Sequence, residues 1–292
     1  MSKVWLITGS SRGLGRDLAA AVLTTGHRVV ATARKAEDLA QLAAQYGDRV
    51  RAVALDVTDA AAARAAVAVA TSTYGRIDVV VNNAGYANIN SVEDVAEDDF
   101  RAQIETNFFG VVNVTRAALP VMRAQKSGHI IQISSIGGRR GSPGLSAYQS
   151  AKWAVEGFSE VLSMETASFG VRVTIVEPGG FRTDWAGSSM RVDEIREEYK
   201  ASIGMMARKS PELMRGDPAK AAQAILTLAA MADPPLRLLL GTDAVFLAAD
   251  VLRRRGEEDA RMRSLSVTTD FDGMVDFADT PIAAMLTGKR AT

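Results

Sequence analysis

Short apolar, β-branched runs recur along this chain, each followed by a longer helical pattern, and that alternation limits the possible folds more than any other feature. The runs are "KVWLIT" (3–8), "RVVATA" (28–33), "VRAVALD" (50–56), "IDVVVNN" (77–83), "HIIQIS" (129–134), "VRVTIVE" (171–177) and "LRLLLG" (236–241). Most are apolar almost throughout, as strands buried on both faces are. Helical patterns fall at about 14–25, 36–46, 60–73, 98–126, 147–169 and 218–231. Asp217 before Pro218 is a helix start, an N-cap followed by proline at the first helical position. Strand–helix units repeated in this way give a parallel sheet with helices on both faces and right-handed crossovers. The fold expected is therefore α/β, a doubly wound, seven-stranded parallel sheet. One domain is expected over residues 1–258, with 259–292 as a C-terminal extension. The stretch 179–216 shows no strand pattern and is read as a substrate loop or lid inside that domain, mobile until a cofactor binds. Thr242 is expected to cap the helix that follows the last strand.

What the chain lacks narrows its function. Basic and acidic residues balance at 34 each, so no charge excess points to nucleic acid or an anionic membrane surface. The absence of cysteine excludes disulfides, thiolate metal sites and cysteine nucleophiles, and no metal is expected. "MSKVWLITGS" enters an apolar run at once without signal-peptide architecture, and no run approaches a membrane span. A soluble cytoplasmic protein is the expectation. Of the two histidines, His27 follows a turn glycine and His129 opens a strand; both read as ordinary surface or packing residues.

The first strand runs into "TGSSRGLG" and then a helix, with glycines at 9, 13 and 15. The spacing is not G-x-G-x-x-G, but the physics is the same. Glycine allows a tight turn and close approach of backbone to a pyrophosphate, and the helix amino end presents free N–H groups to an anion. Gly9, Ser11, Arg12, Gly13, Leu14 and Gly15 are the candidate dinucleotide-binding residues. The second strand ends at Ala33 and Arg34, where NAD-binding units of this Rossmann type carry an acidic residue. Two guanidinium groups, Arg12 and Arg34, and no carboxylate suit a 2′-phosphate, hence NADP(H) rather than NAD(H).

"SAYQSAKW" sets Tyr148 and Lys152 four apart, neighbours on one helix face. With "LDVTD" (55–59), "NNAG" (82–85), Asn107 in "IETNFFG", Ser135 in "IQISS" and "EPGGFRT" (177–183), the chain resembles the short-chain dehydrogenase/reductases. The match runs over residues 1 to about 185, in order and spacing, and weakens beyond Gly187. The Arg34 region is similar to NADP(H)-preferring members. The resemblance implies a catalytic set of Asn107, Ser135, Tyr148 and Lys152. It implies that Asp56 and Val57 contact the adenine, and that Asn83, Ala84 and Gly85 line the nucleotide. Pro178 and Gly179 would lie along the nicotinamide, and Thr183 near its amide or the pyrophosphate. Lys152 would also hold the nicotinamide ribose. A homo-oligomer, dimer or tetramer, would form through the two long helices.

Ketone reduction needs one proton on oxygen, which Tyr148 can donate while Ser135 holds the oxygen. Free tyrosine titrates near about 10, and an adjacent cation lowers it. Lys152 is expected to supply that charge and to bring the phenol down by roughly three units, which takes about 4 kcal/mol. Asn107 would sit at a helix kink that holds a water for relay to Lys152, or would simply be a buried asparagine satisfied by backbone. Trp185, Met190, Met205, Met206 and Met214 either wall a pocket for a bulky apolar substrate or pack the loop against its own domain. Arg139 and Arg140 near the cleft mouth read as a solvated basic pair. The expected activity is hydride transfer between NADP(H) and a ketone or aldehyde. An NAD-linked alcohol dehydrogenase working oxidatively and a non-catalytic cofactor sensor remain as alternatives.

Overall fold

The computed structural model describes residues 2–183, 190–207 and 214–287, with side chains to Gly204 in the middle stretch. It divides into two compact units, Met1–Ala248 and Ala249–Thr292. The expected boundary at 258 falls inside the second unit, within a continuous helix, which no composition shift marks.

In the first unit the elements alternate as the hydrophobic pattern requires. In chain order they are β1 (Val4–Ile7), α1 (Gly13–Thr24), β2 (Arg28–Ala33), α2 (Ala40–Tyr46), β3 (Val50–Ala54), α3 (Ala60–Tyr74) and β4 (Val79–Asn82). Then come β5 (Ala87–Ile89), α4 (Glu97–Ile104), α5 (Gly110–Gln125), β6 (Gly128–Ile133), α6 (Ser146–Thr166) and β7 (Val171–Pro178). They are followed by β8 (Met190–Val192), α7 (Glu197–Ala207), α8 (Pro218–Ala230), β9 (Arg237–Leu240) and α9 (Thr242–Ser266). Seven strands form one parallel sheet in the order β3-β2-β1-β4-β6-β7-β9. The chain moves outward from β1 to β3 and then crosses back to β4. The loops after β1 and β4 therefore part, and a crevice opens at the carboxyl ends of these strands.

Strand period two sorts β1 between two cores. Trp5 and Ile7 join Leu18, Val22 and Leu23 of α1 and Ile225 of α8. Val4 and Leu6 face the opposite way, toward Ala66 of α3 and Val114 and Met122 of α5. The helix ends carry local signals. The Asp59 carboxylate accepts from Ala61 N at 2.7 Å and starts α3, and Gly75 at φ 79° ends it. Asp217 accepts from Ala219 N at 2.9 Å and starts α8 ahead of Pro218, as expected. Thr242 is the first residue of α9 rather than a cap outside it.

Two features depart from the sequence reading. The single helix expected over 98–126 is α4 and α5 joined by a π-helical turn, Glu105–Phe109. The stretch expected to lack strands contains β8, which pairs in parallel with β5 as a separate two-stranded sheet. Three residues are too few to carry a recognisable alternation. Around this pair Ala87, Ile89, Leu145, Tyr148, Met190 and Ile203 form a third apolar cluster. The second unit contains the rest of α9 and α10 (Pro281–Thr287), and Ala283 is the one hydrophobic buried there among the described residues. No helix among the described residues is long and apolar enough to cross a membrane.

Both histidines take packing positions. The His27 Nδ1 accepts from Lys3 N at 3.2 Å, and its ring stacks on Trp5. His129 is buried beside Thr174 Oγ1 at 2.9 Å, and burial pushes it down to about 4. Its folded value lies below the unfolded one of about 6.5, so the unfolded chain binds the proton first as pH falls. The stability it contributes is present above about 6.5 and is lost between about 6.5 and 4, on the order of 3 kcal/mol in all. Urea midpoints measured at pH 7 and pH 5 should fall accordingly, and His129→Gln should flatten that difference. Equal slopes in the two proteins would assign the loss to other groups.

Candidate active site

The site begins at the turn after β1. Gly9 and Gly13 hold φ +68° and +54°, conformations that favour glycine. Gly15 lies beneath the turn: a Cβ there would stand 2.3 Å from Gly9 O and 2.4 Å from Asn83 Nδ2. Asn83, ending the neighbouring strand, braces the turn by donating from Nδ2 to Thr8 O at 3.0 Å and Gly9 O at 3.1 Å. Thr8 Oγ1 accepts from the backbone N–H of Asn83 and Ala84 at 2.9 and 3.0 Å. The amino end of α1 has no acidic residue in its first turn and no side-chain cap. Its N–H groups and dipole are thus left to an anion.

A cleft of about 550 Å³ opens above this turn. Gly9, Ser11, Arg12, Gly13 and Leu14 line one end with Arg34, Asp56 and Val57. Asn83, Ala84, Gly85 and Asn107 lie along it, and Ser135, Tyr148, Lys152, Pro178, Gly179 and Thr183 close the other side. Of the residues expected to bind the cofactor or carry the chemistry, only Gly15 does not line the cleft; it works from below. Asp56 also fixes its own loop, accepting at Oδ1 from Thr58 N and Thr58 Oγ1 at 3.0 and 2.8 Å. The loop carrying Pro178 and Gly179 is held by Asp243, whose Oδ2 accepts from Gly180 N at 2.7 Å.

The π-helical turn places Asn107, fully buried, against the segment that follows "NNAG". Its Oδ1 accepts from Tyr86 N at 3.1 Å, and its Nδ2 donates to Tyr86 O at 2.9 Å and Gln103 O at 2.8 Å. Both amide hydrogens are therefore used by backbone, so the side chain itself fixes the chain at Tyr86. Helix α6 presents Tyr148 and Lys152 one turn apart, both buried. The Lys152 Nζ stands 5.6 Å from the Tyr148 ring centroid and donates to Ile133 O at 2.7 Å. The Ser135 hydroxyl hydrogen-bonds the Tyr148 phenol, while its Oγ accepts from Gly137 N at 3.0 Å.

The electrostatics correct one expectation. Burial pushes the Tyr148 phenol up to about 12, with the Ser135 hydrogen bond pulling the other way. It is not lowered by Lys152. Desolvation of the buried phenol sets the direction, and burial also brings Lys152 down to about 8. At neutral pH the phenol keeps its proton and is poised as a donor.

These elements match the model of the short chain dehydrogenases over residues 3–193. An oxidoreductase from Botryotinia fuckeliana, BOA17, is 54% identical over 273 residues, which cover 92% of this chain and 100% of the relative. The chain belongs to the short-chain dehydrogenase/reductase family. It is an oxidoreductase of that family. A 3-ketodihydrosphingosine reductase from Bacteroides thetaiotaomicron is 37% identical over 244 residues, with 82% and 88% covered. A short-chain dehydrogenase from Streptomyces avermitilis superposes with a TM-score of 0.88 at 41% identity, covering 93% of this chain and 100% of its own. Two solved relatives at 26% identity and TM-score 0.70 each have 96% of their length covered, with 82% of this chain. One is an alcohol dehydrogenase from Thermococcus sibiricus with 5-hydroxy-NADP, the other a 3-ketoacyl-(acyl-carrier-protein) reductase from Brucella melitensis with NADH.

The remaining candidates separate clearly. Arg139 is no solvated residue: its guanidinium pairs with the buried Glu177 at 2.7 Å. Met190 packs in the third apolar cluster instead of lining the cleft. Met214 offers its backbone O to Arg182 Nε at 2.9 Å. Trp185 and the side chains of Met205 and Met206 lie outside the described residues. Sequence reasoning missed Ala33, Asp38, Tyr86, Asn88, Phe181 and Arg191 in the cleft wall. Tyr86 adjoins "NNAG" and Phe181 lies inside "EPGGFRT", so both were within reach. Arg191 depends on β8, which left no signal.

Proposed function

We propose that the chain reduces a largely apolar ketone or aldehyde with NADPH. The observation that carries this is the neutral Tyr148 phenol, hydrogen-bonded to Ser135 and backed by Lys152, in the same cleft as the glycine turn. The donor set fits a dinucleotide: left-handed glycines, an uncapped helix amino end and two arginines on the rim. When bound, the nicotinamide supplies the hydride. Ser135 and Tyr148 hold the carbonyl oxygen, and Tyr148 passes its proton to that oxygen as charge develops there. Lys152 keeps a positive charge beside the phenol and so stabilises the phenolate left behind. A phenol near about 12 favours reduction over alcohol oxidation, which would start from the phenolate. The intact pair also speaks against a non-catalytic sensor. Ile133, Tyr86 and Phe181 in the wall suit an apolar substrate, and the 37% identical relative is named a 3-ketodihydrosphingosine reductase.

NADPH is preferred here because Arg12 and Arg34 line the rim and β2 ends without a carboxylate. Asp38 lines the same rim and favours the second reading, NADH, since a carboxylate repels a 2′-phosphate. Arg34→Asp should lower kcat/KM for NADPH by at least about tenfold while NADH is spared. An unchanged ratio would remove Arg34 from cofactor selection. We also propose a homo-oligomer through α5 and α6; on α6 Trp153, Val161 and Met164 are exposed at 45%, 50% and 72%. Light scattering at micromolar concentration should report more than one chain, and a monomer overturns this.

A further inference from the structure

Behind Lys152 lies a buried ionic network that the reaction as described does not use. Glu156 follows Lys152 by one turn of α6 and is 6% exposed. Its Oε2 pairs with the guanidinium of Arg237 on β9. Arg237 also reaches Glu177 Oε1 at 3.1 Å and, at its exposed end, Glu160. Glu177 is fully buried at the end of β7, just before Pro178, and pairs in turn with Arg139. Glu156 Oε1 and Ser134 Oγ both press on Gly138, where a Cβ would stand 2.7 Å from each. The network thus joins α6, the loop bearing Ser134 and Ser135, and the loop bearing Pro178.

We propose that Glu156 is a positioning residue whose carboxylate, locked by Arg237, keeps the buried Lys152 ammonium charged beside Tyr148. Surface ion pairs rarely decide anything, but here Glu156 and Glu177 are buried and Arg237 is 27% exposed, so the field between them is less screened than at the surface. The groups facing Lys152 are Tyr148, the Ile133 carbonyl and, across Gly85, the Asn107 amide; among the described residues Glu156 is the carboxylate acting on it. Those acting on Glu156 are Ser134, Glu177 and Arg237. Burial works against both charges, pushing Glu156 up to about 7 and Lys152 down to about 8, so each is held by its partners. Arg237 opposes that rise and links the carboxylate to the sheet. The inference rests on the proposed function only for what Lys152 does, not for its charge.

The test is an NMR titration of lysine side-chain carbons in the full-length protein, with Lys152→Arg assigning the resonance. Glu156→Gln should lower the Lys152 midpoint by roughly one unit, and Glu156→Asp should recover part of the loss. Arg237→Gln, which raises the Glu156 carboxyl and so empties it of charge, should move the midpoint the same way without changing a residue of α6. Glu160→Gln removes only the exposed partner and should leave it in place. A midpoint unmoved in folded Glu156→Gln, or in Arg237→Gln should the first variant not fold, overturns the proposal. The titration needs neither cofactor nor substrate. A protein that shows the shift yet oxidises no NADPH with any carbonyl would overturn the proposed function alone. Normal turnover with no shift would overturn only the role of Glu156.

Discussion

Tyr148→Phe is expected to lower NADPH-dependent carbonyl reduction by about 10³-fold, the range that one positioned acid contributes. The ring stays, so the packing against Lys152 and the third apolar cluster is kept while the one donor is removed. NADPH affinity, read by fluorescence titration, should stay within about twofold, because the hydroxyl acts in the chemical step. Reduction should also be flat through neutral pH, since a phenol near about 12 does not titrate there. It should fall as pH rises past about 8, where the Lys152 ammonium loses its proton. Turnover that survives in Tyr148→Phe would place the proton donor elsewhere.

Gly15→Ala carries the second large effect, on binding. The added methyl would stand 2.3 Å from Gly9 O, a backbone atom, and 2.4 Å from Asn83 Nδ2. Neither yields easily, because Asn83 is tied to Thr8 O and Gly9 O and the turn has no slack. Overpacking of this kind costs about 1–3 kcal/mol. The turn must open, so NADPH binding should weaken by at least about tenfold and Tm should fall by several degrees. Gly256→Ala, at an exposed helical site with nothing within 4 Å, should be neutral or slightly stabilising. Binding within threefold of the parent in Gly15→Ala would mean that the turn geometry is not what receives the cofactor.

The strands of the main sheet and most helices were legible because each buries enough residues to impose a period. β2 runs over the residues its pattern marks, Arg28–Ala33. The cleft residues were legible where motif and strand end coincide, as at Asn83 and Pro178. β8 was not, since three residues cannot display alternation and its partner β5 is equally short. The π-helical turn was foreseen only as a kink at Asn107, because a widened turn leaves the hydrophobic stripe almost unbroken. The fate of Arg139 was hidden for another reason. Its partner Glu177 is remote in sequence and buried by a third element, so nothing local marks the pair. The raised phenol was missed because proximity of a cation is visible in spacing, whereas depth is not.

The pairing of β8 with β5 also supplies a clock. The Asp193 amide donates to Ile89 O at 3.2 Å, directly beyond the ladder, and the Arg191 amide to Asn88 Oδ1 at 3.2 Å. The Asp193 proton exchanges with solvent when the short sheet parts, whereas the Arg191 proton is also freed by rotation of the Asn88 side chain. Deuterium uptake at Asp193 therefore counts how often Met190–Val192 lets go of Ala87–Ile89, with no substrate needed to ask the question.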